Sequence, residues 1–348
     1  MKTPRELGLR WPAEWEPHRA TWLAWPHNHS TWPGHLKGAE QAFTRMVRAL
    51  QGAEEVCISV QDEAHADRVA GLLAEAGHSG GVSLHVIPTN DAWVRDHGPV
   101  FLTDADGGVH AADFRFDAWG KKYPPWDLDD AVPSRIAELR EMPCHRAGFV
   151  LEGGSIEGNG AGTVLTTASC LLNGNRRLPG EPPRSIEAMQ ERLREWLGAE
   201  CVLWLGDGIV GDDTDGHVDD IVRFVSELVV VATVEPDPAD PNHAPLAENL
   251  DRLQRMRDAR GRPLDVVPLP MPPPIYVDGL RCPASYANFY LANGVALVPV
   301  FGVPSDERAL AVLREVLPDR RLAPIPARDL VLGLGACHCL TQQEPAGS

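Results

Sequence analysis

Residues 287–301 read ANFYLANGVALVPVF, two apolar runs joined by Asn293-Gly294. Asn-Gly between apolar runs is a strong signal for a hairpin with a two-residue turn. A helical stretch from Ser305 to Val316 follows, then a short strand, RLAPIP at 321–326. The same order of strand, strand, helix and strand recurs upstream. DDIVRFVSELVVVATV (219–234) turns near Ser226-Glu227, with a helix from Pro245 to Arg257 and the strand LDVVPL (264–269) behind it. SIEGNGAGTVLTTAS (155–169) turns between Gly158 and Gly162, followed by an amphipathic stretch from Arg184 to Trp196 and the strand CVLWL (201–205). VFLTDADGGVHAADFRF (100–116) makes two strands around Asp106-Gly107-Gly108. The N-terminal part fits more loosely: TWLAWP, a helix near Ala39 to Leu50, EEVCISV, a helix near Ala64 to Ala76, and SLHVIP.

These are about five ββαβ units, with hairpin centres roughly 50 to 70 residues apart. One such unit cannot bury its apolar faces alone, so the units must pack on one another as a ring or a stack. A ring of five around a central pore is the preferred arrangement, in one domain spanning residues 1–348. An α+β domain with ordinary hairpins fits the same periodicity. The Pro-rich stretch MPPPIY (271–276) reads as a surface loop.

With 32 Lys+Arg against 49 Asp+Glu the chain carries a formal charge of −17 over 348 residues. That balance excludes nucleic acid and anionic membrane surfaces as partners, since both reward clustered Lys and Arg. The N-terminal MKTPRELGLRWPAEWEP has no apolar core of a secretory signal, and the longest apolar run, Leu228 to Val234, is strand-sized. The seven cysteines (Cys57, Cys144, Cys170, Cys201, Cys282, Cys337 and Cys339) are scattered and odd in number. They predict a reduced, cytoplasmic protein without a disulfide framework.

Chemistry-bearing residues fall at strand ends. NDAWVRDHGPVF (90–101) offers Asp91, Trp93, Arg95 and Asp96 before a Gly98-Pro99 turn. FVLEGGSIEG (149–158) offers Glu152 at the end of an apolar strand, with Gly153-Gly154 allowing close backbone approach. In GDDTDGHVDD (211–220) His217 and Asp219 lie two apart where a strand is expected to begin, which would point them to the same side. GLGACHCLTQQ (333–343) places Cys339 beside His338. The Cys-His-Cys at 337–339 lacks a second ligand pair at zinc-like spacing, so no metal and no cofactor is expected.

A thiol is a nucleophile only as thiolate, whose ordinary pKa near 8.5 must be lowered or bypassed. An imidazole can do acid and base work, and a carboxylate can orient it. Further carboxylates such as Asp96 and Glu152 would repel an anion. They suit a planar cation, because guanidinium presents parallel N–H donors that match a carboxylate. Trp93 could cover an alkyl stem or stack on the cation. The set describes attack by sulfur on a guanidinium carbon, while the bland reading of each residue, as core thiol or structural ion pair, stays open.

At this point the motifs carry a resemblance. DAWVRDHGPVF, FDAWGKKYPPWDLDD, LEGGSIEGNGAGTVLTT, TDGHVDD, SYANFYLANGVALVPVFG and HCLTQQEP resemble the agmatine deiminase family, which is related to the bacterial-type peptidylarginine deiminases. The likeness runs in order from about Trp11 to Pro345. It implies the pentein fold, a five-bladed α/β propeller with the active site in the pore, and a homo-oligomer. Cys339 matches the family nucleophile, His217 its acid/base, Asp96 and Asp219 the carboxylates that grip the guanidinium, and Glu152 the acidic partner of His217. Trp93 and Asp213 fall where relatives line the pocket for the alkyl chain and the distal amine. The implied reaction takes agmatine, a small cationic guanidine, to N-carbamoylputrescine and ammonia without a cofactor.

Three departures bear on substrate. GLGACHC stands where the family usually has GGGNIHC, Asp213 is shorter than the Glu of some agmatine-specific members, and SIEGNGAGT replaces the commoner SIHVDGEGT. The same chemistry on free or peptidyl arginine therefore remains an alternative, with Arg176, Arg177 and Arg281 as candidates to hold an α-carboxylate. An amidinotransferase on the same fold is another.

Overall fold

A computed structural model describes residues 2–78 and 80–347, and its strands fall into six sheets. The chain opens with β1 (His18–Ala24), α1 (Leu36–Leu50), β2 (Glu55–Val60), α2 (Glu63–Glu75) and β3 (Val82–Val86). A single turn, α3 (Val94–His97), leads into β4 (Val100–Thr103) and β5 (Val109–Arg115), then a distorted turn α4 (Ala118–Lys121), α5 (Val132–Leu139) and β6 (Cys144–Val150). The third unit comprises β7 (Ile156–Gly158), β8 (Thr163–Thr167), the short α6 (Ala168–Leu171), α7 (Ile186–Leu197) and β9 (Cys201–Leu205). The fourth is β10 (Val222–Phe224), β11 (Val229–Val234), α8 (His243–Arg255) and β12 (Asp265–Pro270). A small ribbon, β13 (Tyr276–Val277) and β14 (Leu280–Arg281), precedes β15 (Tyr290–Ala292), β16 (Val295–Val300), α9 (Ser305–Val316) and β17 (Arg321–Pro326). The last elements are α10 (Arg328–Leu332) and β18 (Gln342–Pro345).

Units two to five share one plan. An antiparallel hairpin is joined by a third strand that runs parallel to the hairpin's second strand. In the fifth, Tyr290↔Leu297 and Ala292↔Val295 pair around Asn293-Gly294, where Gly294 takes φ 66°. The helix between the hairpin and the third strand makes the crossover that a parallel pair requires. Each helix turns an apolar stripe inward: α1 buries Ala39, Phe43, Met46, Val47 and Leu50, spaced three and four apart. Burying a side chain the size of Phe43 contributes about 2 kcal/mol. Ser185 caps α7 by accepting the Ala188 N–H, and Gly198 at φ 68° ends it.

The first sheet explains why the N-terminal part reads loosely. Its order is β18-β1-β2-β3, and β18 pairs antiparallel with β1, Trp22 opposite Gln342 and His18 opposite Pro345. The hairpin partner of β1 thus comes from the far end of the chain. Between units, β18 meets β4, α3 meets the 3-10 turn at Gly153–Ser155, β7 meets β10, α9 meets β12, and α1 meets β16 and β17.

Two expectations need correction. His217 and Asp219 do not begin a strand: His217 precedes a 3-10 turn, Val218–Asp220, and β10 starts at Val222. Asp212 sets that turn by accepting the main-chain N–H groups of Gly216 and His217, so local side-chain bonding wins over extension. MPPPIY is only partly surface, with Met271 and Ile275 buried and Tyr276 exposed. No helix among the described residues is long and apolar enough to cross a membrane.

Candidate active site

The loops at the ends of these units enclose a cavity of about 720 Å³ whose wall includes Trp93, Asp96, Asp213, His217, Asp220 and Cys339. Of the residues singled out from sequence, Asp219 and Glu152 lie behind that wall, both fully buried. Asp96 sits on α3, Glu152 follows β6, His217 precedes and Asp219 lies within the 3-10 turn before β10, and Cys339 lies between α10 and β18. Four widely separated segments therefore meet at one place.

Gly154 shows how tightly they meet. A Cβ at this position would stand 2.6 Å from His217 Nδ1, 2.9 Å from Asp96 Oδ1 and 3.1 Å from Asp219 Oδ2. Only glycine leaves room for three polar groups there. Gly335 does the same beside the thiol, where a Cβ would lie 2.5 Å from the Trp93 ring and 3.2 Å from Cys339 Sγ. Trp93 in turn packs against Trp32, ring centroids 5.4 Å apart.

Asp96 accepts the Gly154 N–H at 2.9 Å on Oδ1 and the Trp119 indole N–H at 2.9 Å on Oδ2. His217 Nδ1 stands 3.6 Å from Asp96 Oδ1, within ion-pair range but beyond a hydrogen bond. Asp219 Oδ2 accepts from His338 Nδ1 at 2.7 Å and lies 3.6 Å from Cys339 Sγ, while its Oδ1 has no hydrogen-bond partner among the described residues. Asn288 donates its side-chain N–H to Cys339 Sγ at 3.0 Å and to Asp220 Oδ1 at 3.0 Å.

Glu152 is placed beside His217, with the Cys170 thiol close to both, but no hydrogen bond joins carboxylate and imidazole. The stronger donor prevails: Arg176 Nε bonds Glu152 Oε1 at 2.9 Å inside the protein. Asp213 carries the Tyr123 hydroxyl on its carboxylate and the Lys122 ammonium on its carbonyl. Leu334, where the resemblance leads one to expect Gly, takes left-handed backbone at φ 73° and lines the cavity.

The electrostatics follow from burial among acids. Burial pushes the Cys339 thiol well above its ordinary pKa, and the charges of Asp219, Asp220 and Asp96 push it further. Burial works against charge on His217, yet Asp96, the Cys170 thiol and Asp219 outweigh it and hold its pKa well above the ordinary value. The resting pair is a neutral thiol and an imidazolium. Burial also raises the carboxyls of Asp96 and Asp220, whereas His338 and His217 bring Asp219 below the usual carboxylate range despite its burial. Two triads, Glu152–Cys170–His217 and Asp219–Asp220–Cys339, bring ligand atoms within 4.8 Å of one another. The first already holds a cation, Arg176. The second is a set of acids and a thiol that suits a cation of either kind, metal or organic.

Sequence reasoning passed over Asn288, Asp220, Cys170 and Trp119. Asn288 and Trp119 lie inside quoted motifs, SYANFY and FDAWGKK, but an amide or indole carries no spacing signal that names its partner. Asp220 stands next to Asp219 and is the member of the pair on the cavity wall.

Known proteins share this sequence pattern and fold. The family model of Porphyromonas-type peptidyl-arginine deiminase matches residues 10–345. The agmatine deiminase of Stutzerimonas stutzeri (strain A1501) is 38% identical over 367 aligned residues, which cover 99% of this chain and 97% of the relative. Among solved structures, agmatine deiminase of Enterococcus faecalis aligns with a TM-score of 0.91 at 34% identity, over 99% of this chain and 98% of its own. A substrate-bound agmatine deiminase of C. jejuni gives a TM-score of 0.88 at 29% identity, over 97% of each chain. The fold is thus the mixed α/β architecture of these agmatine deiminases. The chain belongs to the Porphyromonas-type peptidyl-arginine deiminase family and is a hydrolase acting on a guanidino C–N bond.

Proposed function

We propose that this enzyme hydrolyses agmatine to N-carbamoylputrescine and ammonia through a covalent adduct on Cys339. The observation that carries this reading is the convergence of His217, Asp96 and Asp219 on Gly154, with Cys339 3.6 Å from Asp219 and on one cavity wall with Asp96 and His217. The likeness to agmatine deiminases, one of them with substrate bound, supports it. The five larger sheets form a closed ring of ββαβ blades, supported by contacts that run from each unit to the next and from the fifth back to α1. The unpaired cysteines fit a reduced, cytoplasmic setting.

In the reaction, Asp96 and Asp219 hold the guanidinium nitrogens in plane. A cation beside the thiol offsets the acids that keep it protonated, so substrate itself favours loss of the thiol proton. The thiolate attacks the guanidinium carbon, and His217, as imidazolium, protonates the departing nitrogen, which leaves as ammonia. An S-alkylthiouronium remains. Neutral His217 then takes a proton from water, whose oxygen adds to the same carbon, and the C–S bond breaks to release thiolate and the ureido product. One water is consumed: the proton lost from the thiol on substrate binding turns the released ammonia into ammonium, and the proton shed by the added hydroxyl as the ureido carbonyl forms returns to sulfur, restoring neutral thiol and imidazolium.

The wall favours a substrate without an α-carboxylate. Among its described residues Lys122 is the sole Lys or Arg, and its ammonium is bound to Asp215 at 3.0 Å and to the Asp213 carbonyl. Arg176 is tied to Glu152, Arg177 to the Glu181 carbonyl and Arg281 to Asp240. The test is a paired assay of ammonia and ureido product on agmatine, free arginine and an internal-arginine peptide. Agmatine should lead, Cys339→Ala should be silent while melting like the parent, and Asp96→Asn should lower kcat and raise KM together. Activity in Cys339→Ala removes the covalent route. Preference for arginine or the peptide replaces the substrate, and amidine transfer to an added amine in place of hydrolysis replaces the reaction.

A further inference from the structure

Behind the cavity lies a buried charge network that the reaction as written does not use. Its hub is Glu14, in the segment before β1 and buried. Glu14 Oε1 accepts the Leu291 N–H at 2.7 Å and faces Arg223 Nη2 at 2.7 Å. Its Oε2 faces His338 Nε2 at 2.8 Å and Arg95 Nη2 at 3.5 Å. The other nitrogen of the same ring, His338 Nδ1, meets Asp219 Oδ2 at 2.7 Å. Neither Glu14 nor His338 belongs to the cavity wall.

Ionised carboxylates only accept hydrogen bonds, and the His338 ring presents one nitrogen to each of two such acceptors. Arg223 and His338 outweigh burial and hold Glu14 well below the usual carboxylate range, and Asp219 is lowered too. The ring is pinned at both ends, and its main-chain N–H is fixed as well, on Asn288 Oδ1 at 3.0 Å. Asp219 can then turn neither oxygen freely. One is committed to His338, and the other is a buried acceptor with no donor among the described residues, an arrangement that costs free energy until an N–H arrives.

We propose that His338, itself held by Glu14, is a positioning residue that fixes the Asp219 carboxylate through Oδ2 and leaves Oδ1 to take a guanidinium N–H. The inference rests on the guanidine reading of the site but not on which guanidine is turned over. It adds a support that begins in the N-terminal segment and ends beside the nucleophile.

The test compares alkylation of Cys339 by 2-chloroacetamidine, a cationic amidine, with alkylation by neutral iodoacetamide in the full-length protein. The ratio of the two rates reports how well the site holds a planar cation next to sulfur, whatever the natural substrate. Asparagine reproduces the Nδ1 position of histidine and glutamine the Nε2 position. His338→Gln, which loses the bond to Asp219, should lower the ratio about tenfold. His338→Asn, which keeps that bond, should retain most of it. In a double-mutant cycle, His338→Gln added to Asp219→Asn should lower the ratio no further than Asp219→Asn alone. Glu14→Gln reaches the ring from its other side and should lower the ratio in the same direction; it carries the cycle should His338→Gln not fold. An unchanged ratio in the folded variant, an additive cycle, or Asn falling below Gln overturns the proposal. Turnover of agmatine, measured separately on the parent, decides the substrate and leaves this ratio untouched.

Discussion

At the scale of single residues, the site is organised as much by absent side chains as by present ones. Gly154 lies against His217, Asp96 and Asp219, and its N–H anchors Asp96. Gly154→Ala would drive a methyl to 2.6 Å from His217 Nδ1, so imidazole and carboxylates must part. A displacement of this size costs about 100-fold in kcat/KM. We expect that loss with a melting temperature within a few degrees of the parent; parent-like kinetics would show that the three groups need not be so close. Motif and chemistry together single out Cys339, His217 and Asp96 in the sequence, and the structure sets all three on one cavity wall. The Arg176 partner of Glu152 was not, since a residue 24 positions away can claim a carboxylate without leaving a local pattern. Leu334 is a further case, because nothing in GLGACHC announces that a leucine will adopt left-handed backbone.

Elements carry their own prediction. The 3-10 turn Asp129–Ala131 is tied to the loop before α3, where Asp129 Oδ1 accepts the Asn90 N–H at 2.7 Å and Asn90 Oδ1 accepts the Leu128 N–H at 2.9 Å. Burial pushes the Asp129 carboxyl up to about 7 from an ordinary 3.8, more than the two main-chain N–H groups bring it down. Between those values the unfolded chain ionises while the folded chain keeps its proton, so stability falls as pH rises and levels off above about 7. Asp129→Asn keeps an acceptor for the N–H groups and removes the titration. Its melting temperature should exceed the parent's at pH 8 and match it at pH 4; equal differences at both would mean that the carboxyl ionises freely in the fold. Where period and turn chemistry agreed, elements were legible: 201–205, 305–316 and 321–326 form as read. The strand Gln342–Pro345 was invisible, since QQEP has no β-forming residues. It forms because Glu344 accepts the Trp22 indole N–H at 2.7 Å and an Arg140 N–H at 3.0 Å, tertiary bonds no local window contains.

For the whole molecule, β18 is the joint between the two ends of the chain. It supplies the antiparallel partner of β1, and Gln343 adds a bond to Arg95 at 2.8 Å. Deleting residues 342–348 should therefore abolish cooperative unfolding of the entire protein and not merely fray one edge; a parent-like transition would show that the first sheet stands without this strand. The order of translation gives that joint a further meaning. A ribosome delivers seventeen strands before it reaches Cys339 and then β18. Until then the first sheet presents an open edge, and the chain lacks the cysteine proposed as its nucleophile. Products of stalled synthesis are thus marked by an unpaired strand, a feature by which a cell's quality control can tell them from the finished chain.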